Sequence, residues 1–227
     1  MYAGRPICGA TLINSRYVLT SASCIRFYPP STLKVRFNAT QSNQMGSQVG
    51  VASKIEHAGY SVFKWWNREH DIALLRLTSP VEIQNSTMYA PACLPRSSAL
   101  SSFTNLRTLG FGKNFRWTKT LQSLDLTEVP IDTCIRQYPK YVAQSNICAG
   151  GIGQSICRLD FGGPLLENAN DVTRVVGVSS FGYCILPKPS IFTRVSSHLD
   201  WIYQNTGGMP ANSTATNSDV QWCRNDI

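Results

Sequence analysis

The chain is broken into short apolar or alternating runs, and this texture constrains its fold more than any other feature. Candidate strands are Ala10–Ile13, Tyr17–Ala22, Leu33–Phe37, Val49–His57, Ile72–Leu77, Arg107–Gly110, Ser123–Val129, Val175–Ser180 and Ile191–Arg194. Gly, Pro, Asn and Ser fall between them, and these are the residues that set turn geometry. Strands at this spacing without intervening helices predict an all-β sandwich or barrel. A Ser-rich stretch from Pro95 to Asn105 has no periodicity and reads as a crossover between two β units. No internal repeat is present.

One helix is expected near the end. Ser197 and Asp200 stand at capping-box spacing, with Ser197 as N-cap. Leu199, Ile202 and Tyr203 then share one face, and Gly207-Gly208 should stop the helix. Met209–Asp219 is small and polar without a hydrophobic face, which predicts a flexible tail ending in Gln221-Trp222-Cys223.

Composition excludes several classes. The 227 residues are 43% hydrophobic and only 15% charged, against disorder or a coiled coil and in favour of one large domain or a tightly joined pair. No run approaches the length of a membrane-spanning helix. The net charge of +8 favours an acidic partner without naming one. Its longest basic feature is Lys113, Arg116 and Lys119 around Phe115 and Trp117, expected in a surface loop. That loop would suit a polyanion such as heparin or an anionic membrane, or be simply solvated.

Eight cysteines indicate an oxidising compartment, and glycosylation triplets at Asn38, Asn85 and Asn212 agree. The first six residues lack the apolar core of a signal peptide, so a secretory start is expected upstream of Met1. The cysteine spacings suit disulfides better than zinc, and no His-Glu-x-x-His motif or phosphate-binding glycine loop occurs. Neither a metal nor a cofactor is expected, and a secreted chain argues against nucleic acid.

Four segments carry a signature: Cys8-Gly9-Ala10-Thr11-Leu12-Ile13, Tyr17-Val18-Leu19-Thr20-Ser21-Ala22-Ser23-Cys24, His70-Asp71-Ile72-Ala73-Leu74-Leu75-Arg76-Leu77 and Cys157-Arg158-Leu159-Asp160-Phe161-Gly162-Gly163-Pro164-Leu165-Leu166. In order and spacing they resemble a chymotrypsin-like serine protease domain, over roughly residues 7–206. The resemblance implies two packed six-stranded antiparallel Greek-key barrels with a C-terminal helix. The domain would span 1–206, with barrels over about 1–95 and 106–195, the helix over 196–206 and the tail over 207–227.

The match breaks at the chemistry. Where the family has its general-base histidine this chain has Ser23, and where it has the nucleophilic serine this chain has Phe161. Only the orienting carboxylate, Asp71, remains. A hydroxyl attacks a carbonyl only if an imidazole takes its proton, and neither Ser23 nor a phenyl ring supplies these functions. Removing either member alone costs about 10⁶-fold in kcat in a well-studied relative. The glycine that presents one oxyanion N–H is replaced by Leu159. In the specificity pocket, Ser155 stands at the floor and Ser190 on a wall, while the peptide-binding segment Ser180-Phe181-Gly182 survives. Asp160 matches the acid that pairs with a freed N-terminus in active relatives, and a partner of that kind is not expected here.

None of the three histidines is expected to replace the base. His57 matches a surface loop, His70 points to the strand face opposite Asp71, and His198 starts the terminal helix. Each reads as an ordinary surface or structural histidine. Asp71 is expected to be a relic anchored by hydrogen bonds, with Ser23 among its partners. Phe161 is expected to plug the empty site, or to serve as an aromatic anchor for a partner. The resemblance also implies disulfides Cys8–Cys24, Cys134–Cys148 and Cys157–Cys184, leaving Cys93–Cys223 as a pairing across the tail.

The expected function is that of a catalytically inactive, secreted homologue. The Ala92-Cys93-Leu94-Pro95 segment is most similar to arthropod clip-domain protease homologues. That similarity implies a cofactor, decoy or regulator in an extracellular protease cascade of innate-immune or melanisation type, with an active protease or its substrate as partner. Two rivals are a basic heparin-binding or antimicrobial protein and an endopeptidase of unconventional residual activity.

Overall fold

A computed structural model describes residues 1–61, 63, 67–83, 86, 89–95, 102–113, 116–151, 153–169, 172–184 and 187–207. Its first sheet is built from Thr11–Leu12 (β1), Tyr17–Thr20 (β2), Lys34–Phe37 (β3), Ser47–Glu56 (β4) and Ala73–Leu77 (β5), all antiparallel, in the order β1-β2-β5-β4-β3. A short helix, Ala22–Ile25 (α1), follows β2 directly. The second sheet contains Leu106–Lys113 (β6), Arg116–Leu126 (β7), Glu128–Val129 (β8), Asn146–Ala149 (β9), Pro164–Ala169 (β10), Val172–Phe181 (β11) and Ser190–Arg194 (β12). Its order is β7-β6-β10-β11-β12-β9-β8, and helix Ile131–Gln137 (α2) lies between β8 and β9.

Both faces of the central strands are buried, and this explains their nearly unbroken apolar runs. Side chains alternate across a strand. Leu19 and Leu74 therefore enter a core that also holds Leu166, Val175 and Val178 of the second sheet and Leu199 and Ile202 of the last helix. Their neighbours Val18, Ala73, Leu75 and Leu77 point the other way, into the first sheet's own core with Ile25, Leu33 and Val51. The second sheet repeats the arrangement: Leu165, Val176 and Phe192 fill its interior with Leu106 and Ile147. The two sheets are thus joined by a shared apolar layer.

The all-β class holds, with five and seven strands among the described residues rather than six and six. β1 has only two residues, and at the opposite edge Leu33, just before β3, takes an isolated bridge from Tyr2 rather than a further strand. Register shifts at Val51/Ser53, Gly110/Gly112 and Ser179/Phe181 mark irregularities of the kind that bend sheets towards closure. Three local expectations fail. Ala22, expected to end a strand, instead begins the helix Ala22–Ile25, because the chain turns at Ser21 into α1. The basic segment is a β hairpin, not a loop: β6 ends at Lys113, β7 begins at Arg116, and the two strands pair there. The terminal helix has no side-chain cap, since the chain enters it through a 3₁₀ turn at Ser196–His198 before the α-helix Leu199–Thr206 (α3). It does stop at Gly207, whose φ of 69° is the left-handed cap position.

Disulfides Cys8–Cys24, Cys134–Cys148 and Cys157–Cys184 are all formed. The Cys93–Cys223 pairing, the tail from 208 onward, and Asn85 and Asn212 lie outside the described residues. Asn38 is exposed.

The two sheets meet most closely at a glycine seam. A β-carbon on Gly9 would lie 2.6 Å from the Gly163 Cα. Gly162 adopts φ +79°, and a β-carbon there would overlap Thr20 Oγ1 and the Gly9 carbonyl. Gly162→Ala adds left-handed strain to this overlap. We expect a loss of about 2–4 kcal/mol in urea unfolding with disulfides intact. A loss within about 0.5 kcal/mol, the range of surface substitutions, would show that the seam relaxes freely.

Candidate functional site

Asp71 sits at the start of β5, where the chain passes from the loop after β4 into the sheet, and it is fully buried. A carboxylate in that position must be partnered. The Ser23 N–H, from α1, donates to Oδ1 at 2.7 Å, and the Ser23 hydroxyl donates to Oδ2 at 2.8 Å. The Ser180 hydroxyl, from β11 of the other sheet, donates to Oδ2 at 2.6 Å. Arg68 adds an ion pair, with Nη1 3.6 Å from Oδ2. The Asp71 carbonyl accepts the Thr193 hydroxyl of β12 at 3.0 Å. The expected contact between Ser23 and Asp71 is therefore present, and Ser180 joins it. Arg68 carries no motif; its only signal is a basic residue three positions before a carboxylate. Its guanidinium is also 5.2 Å from the Phe181 ring centre, so the surviving Ser180-Phe181 segment holds both the acid and its counter-ion.

Phe161 follows a 3₁₀ turn at Arg158–Asp160. Its half-buried ring packs against the interior of both the first and the second sheet. Its N–H is directed at the Arg158 carbonyl at 3.4 Å, and its carbonyl accepts the Gly9 N–H at 2.9 Å. The Phe161 N–H is thus engaged in a local turn. Asp160 is buried, and its carboxylate accepts the Gly112 N–H at 2.7 Å and the Cys157 N–H at 3.0 Å. Burial pushes the Asp160 carboxyl up, against the downward pull of these N–H groups.

Ser155 and Ser190 form a second cluster. Their hydroxyls are 3.1 Å apart, and Ser190 Oγ accepts the Ile156 N–H at 2.9 Å. Gly182 lies directly on this cluster. A β-carbon added to it would stand 2.6 Å from both Ile156 Cγ1 and the Ile156 carbonyl. The expected floor position, Ser155, and the expected wall position, Ser190, are in contact. A cavity of about 410 Å³ runs past Cys8, Gly9, Phe111, Leu159 and Asp160, but Ser23, Asp71 and Ser180 are not in its lining.

The three histidines require a correction. Beyond the ordinary surface or structural roles expected of them, they form one cluster. The His57 and His70 rings stack at 4.5 Å, and the His198 ring meets them edge-on at 5.1 and 5.4 Å. His70 Nδ1 is 3.1 Å from His198 Nε2, which shows where the His70 side chain goes when it turns from Asp71. Burial, with His198 and His70 alongside, lowers the His57 pKa to about 4, and burial lowers that of His198 too. This cluster is where the described residues could hold a metal.

The Ser180 bond to Asp71 joins the two sheets through a charge. Ser180→Ala is expected to cost about 1.5–3 kcal/mol, the range for a hydrogen bond to an ionised group. Denaturant unfolding measures this, and a neutral result would remove Ser180 from the carboxylate's support.

Comparison with known proteins agrees with this framework. A family profile described as Trypsin matches residues 1–202. The chain is 35% identical over 214 residues to the protein named Serine protease snk of Drosophila melanogaster, an alignment covering 86% of this chain and 48% of that protein. The chain thus spans about half the length of that relative. With the profile covering nearly the whole described fold, the chain belongs to the trypsin family.

Proposed function

We propose that this chain is a non-catalytic member of its family, secreted, acting by protein contact in an extracellular protease cascade as a cofactor, decoy or regulator. One observation carries the reading. The Asp71 carboxylate that would orient an imidazole is taken up by the Ser23 N–H and hydroxyl, the Ser180 hydroxyl and Arg68. A serine cannot accept the proton of a nucleophile near neutral pH, and a guanidinium is already protonated. At the nucleophile position Phe161 offers no attacking atom, and its ring is packed into both cores. The histidine pair His70–His198 is bonded within its own cluster, so it stands apart from these Asp71 contacts. The three disulfides support an oxidising compartment. The partner in this reading is an active protease or its substrate.

The isolated chain is expected to hydrolyse neither peptide esters nor amides, and a covalent serine-hydrolase probe should leave it unlabelled. Ester turnover above a heat-killed control, abolished by changing one residue among Ser23, Asp71 and Phe161, would sink the proposal.

Restoring two residues should not restore a good protease. Ser23→His with Phe161→Ser rebuilds base and nucleophile beside Asp71. Arg68 would still pair with the carboxylate, Leu159 would still occupy the oxyanion turn, and Gly182 would still lie on Ile156. One oxyanion donor alone is worth about 2.7–4 kcal/mol. We expect weak esterase activity at most, measured on chromogenic esters and Arg-containing peptides. Cleavage of Arg peptides at rates typical of trypsin-like enzymes would show that only the two triad positions had been lost.

A further inference from the structure

We propose that His57, His70 and His198 form a zinc site: three imidazole nitrogens bind one Zn²⁺ ion, whose fourth position is left to water. These are the chain's only three histidines. They come from positions far apart in sequence: the end of β4, the residue before Asp71 and the last residue before α3. One potential ligand nitrogen from each lies within 4.8 Å of the others.

Polar contacts orient two of the three rings, His198 and His70, for this task. His198 is buried, and its Nδ1 is 2.8 Å from the Arg194 carbonyl. A carbonyl only accepts, so Nδ1 carries the proton and the Nε2 lone pair faces inward. A ligating histidine is commonly fixed in this way by a carbonyl or carboxylate behind it. His70 shows the same arrangement in looser form. Its Nε2 edge faces the Glu69 carboxylate at 4.0 Å, while its Nδ1 faces His198 Nε2 at 3.1 Å. With protons on the outer nitrogens, two lone pairs face each other across that gap. A cation between them satisfies both; without one, a proton must occupy the gap.

The spacing suits zinc. Zn–N bonds of about 2.0–2.1 Å in a tetrahedral site set the nitrogens roughly 3.3 Å apart. His70 and His198 are already near that distance. His57 is the adaptable member. It is partly exposed, and its Nδ1 accepts the Gly59 N–H at 3.1 Å, which puts the neutral ring's proton on Nε2; to bind zinc, His57 gives up that bond and shifts by about 1–1.5 Å so that its lone pair completes the triangle. Neutral imidazoles select zinc over the hard cations calcium and magnesium, which prefer oxygen. Three protein ligands leave one open position, and the exposed side of His57 and His70 gives the ion a way in. A bound ion would tie the end of β4, the loop carrying Asp71 and the start of α3 into one unit.

The test uses the tag-free, disulfide-intact chain, stripped with a chelator and titrated with Zn²⁺ by calorimetry. We expect one ion per chain, a higher melting temperature with zinc, and no response to Ca²⁺ or Mg²⁺. His57→Gln and His70→Gln, at the partly exposed positions, should each weaken binding by roughly 100-fold, at least the loss seen on removing outer-shell support. Circular dichroism would confirm that both variants fold. Co²⁺ in place of zinc should give the visible bands of a tetrahedral nitrogen site, absent from both variants. No binding of Zn²⁺, or binding unchanged in both variants, would overturn the proposal.

Discussion

A carboxylate sealed from water is the constraint around which the rest of this structure is arranged. Asp71 is fully buried where the two sheets meet. Stranding such a charge costs several kcal/mol, so its surroundings must supply hydrogen bonds and a counter-charge. They come from four places: Ser23 in α1, Arg68 in the preceding loop, Ser180 in β11, and Thr193 in β12 through the backbone carbonyl. The tethered β11 packs Val175 and Val178 into the shared core, while α1 packs Ala22 and Ile25 into the first sheet's core and β12 packs Phe192 into the second's. Leu74 and Ile72 beside the acid, and Val178 beside Ser180, belong to one cluster. The polar knot and the apolar layer are therefore two views of the same joint.

Much of this was legible in the residues, for identifiable reasons. Short apolar runs revealed β2, β5 and β12 because both of their faces are buried. The pairing of Ser23 with Asp71 followed from motif positions, as did the three disulfides. What escaped was what local pattern does not encode. β9 and β10 gave no strand signal because Asn146–Ala149 is short and Pro164–Ala169 begins inside a Gly-Gly-Pro turn. The β6–β7 hairpin looked like a solvated loop because its residues there are basic and polar. The capping box at Ser197 failed because the helix entrance is set by tertiary packing of Val195 and Leu199, not by the local hydroxyl. Arg68 is an unremarkable basic residue until the fold places it against Asp71. The histidine cluster joins residues 128 positions apart, a relationship invisible to any window.

The second sheet ties Ser155, Ile156, Gly182 and Ser190 into one tight cluster. Ser190 Oγ bonds to Ser155 and to the Ile156 N–H, and Gly182 rests on Ile156. Asp160 is held by backbone N–H groups from Gly112 and Cys157 rather than by a cation.

Phe161 gives the architecture a direction in time. Its ring fills space belonging to both interiors. On the proposed reading, the substitution that took away the attacking atom also put a large apolar group into the seam. A return to serine would empty that space, at a cost below the roughly 3–5 kcal/mol of truncating a fully buried phenylalanine but a sizeable share of a domain's net stability. An ancestral enzyme could leave catalysis by small steps, each tolerated. Its descendant could retrace them only through a less stable intermediate, so the loss of chemistry here would work as a ratchet.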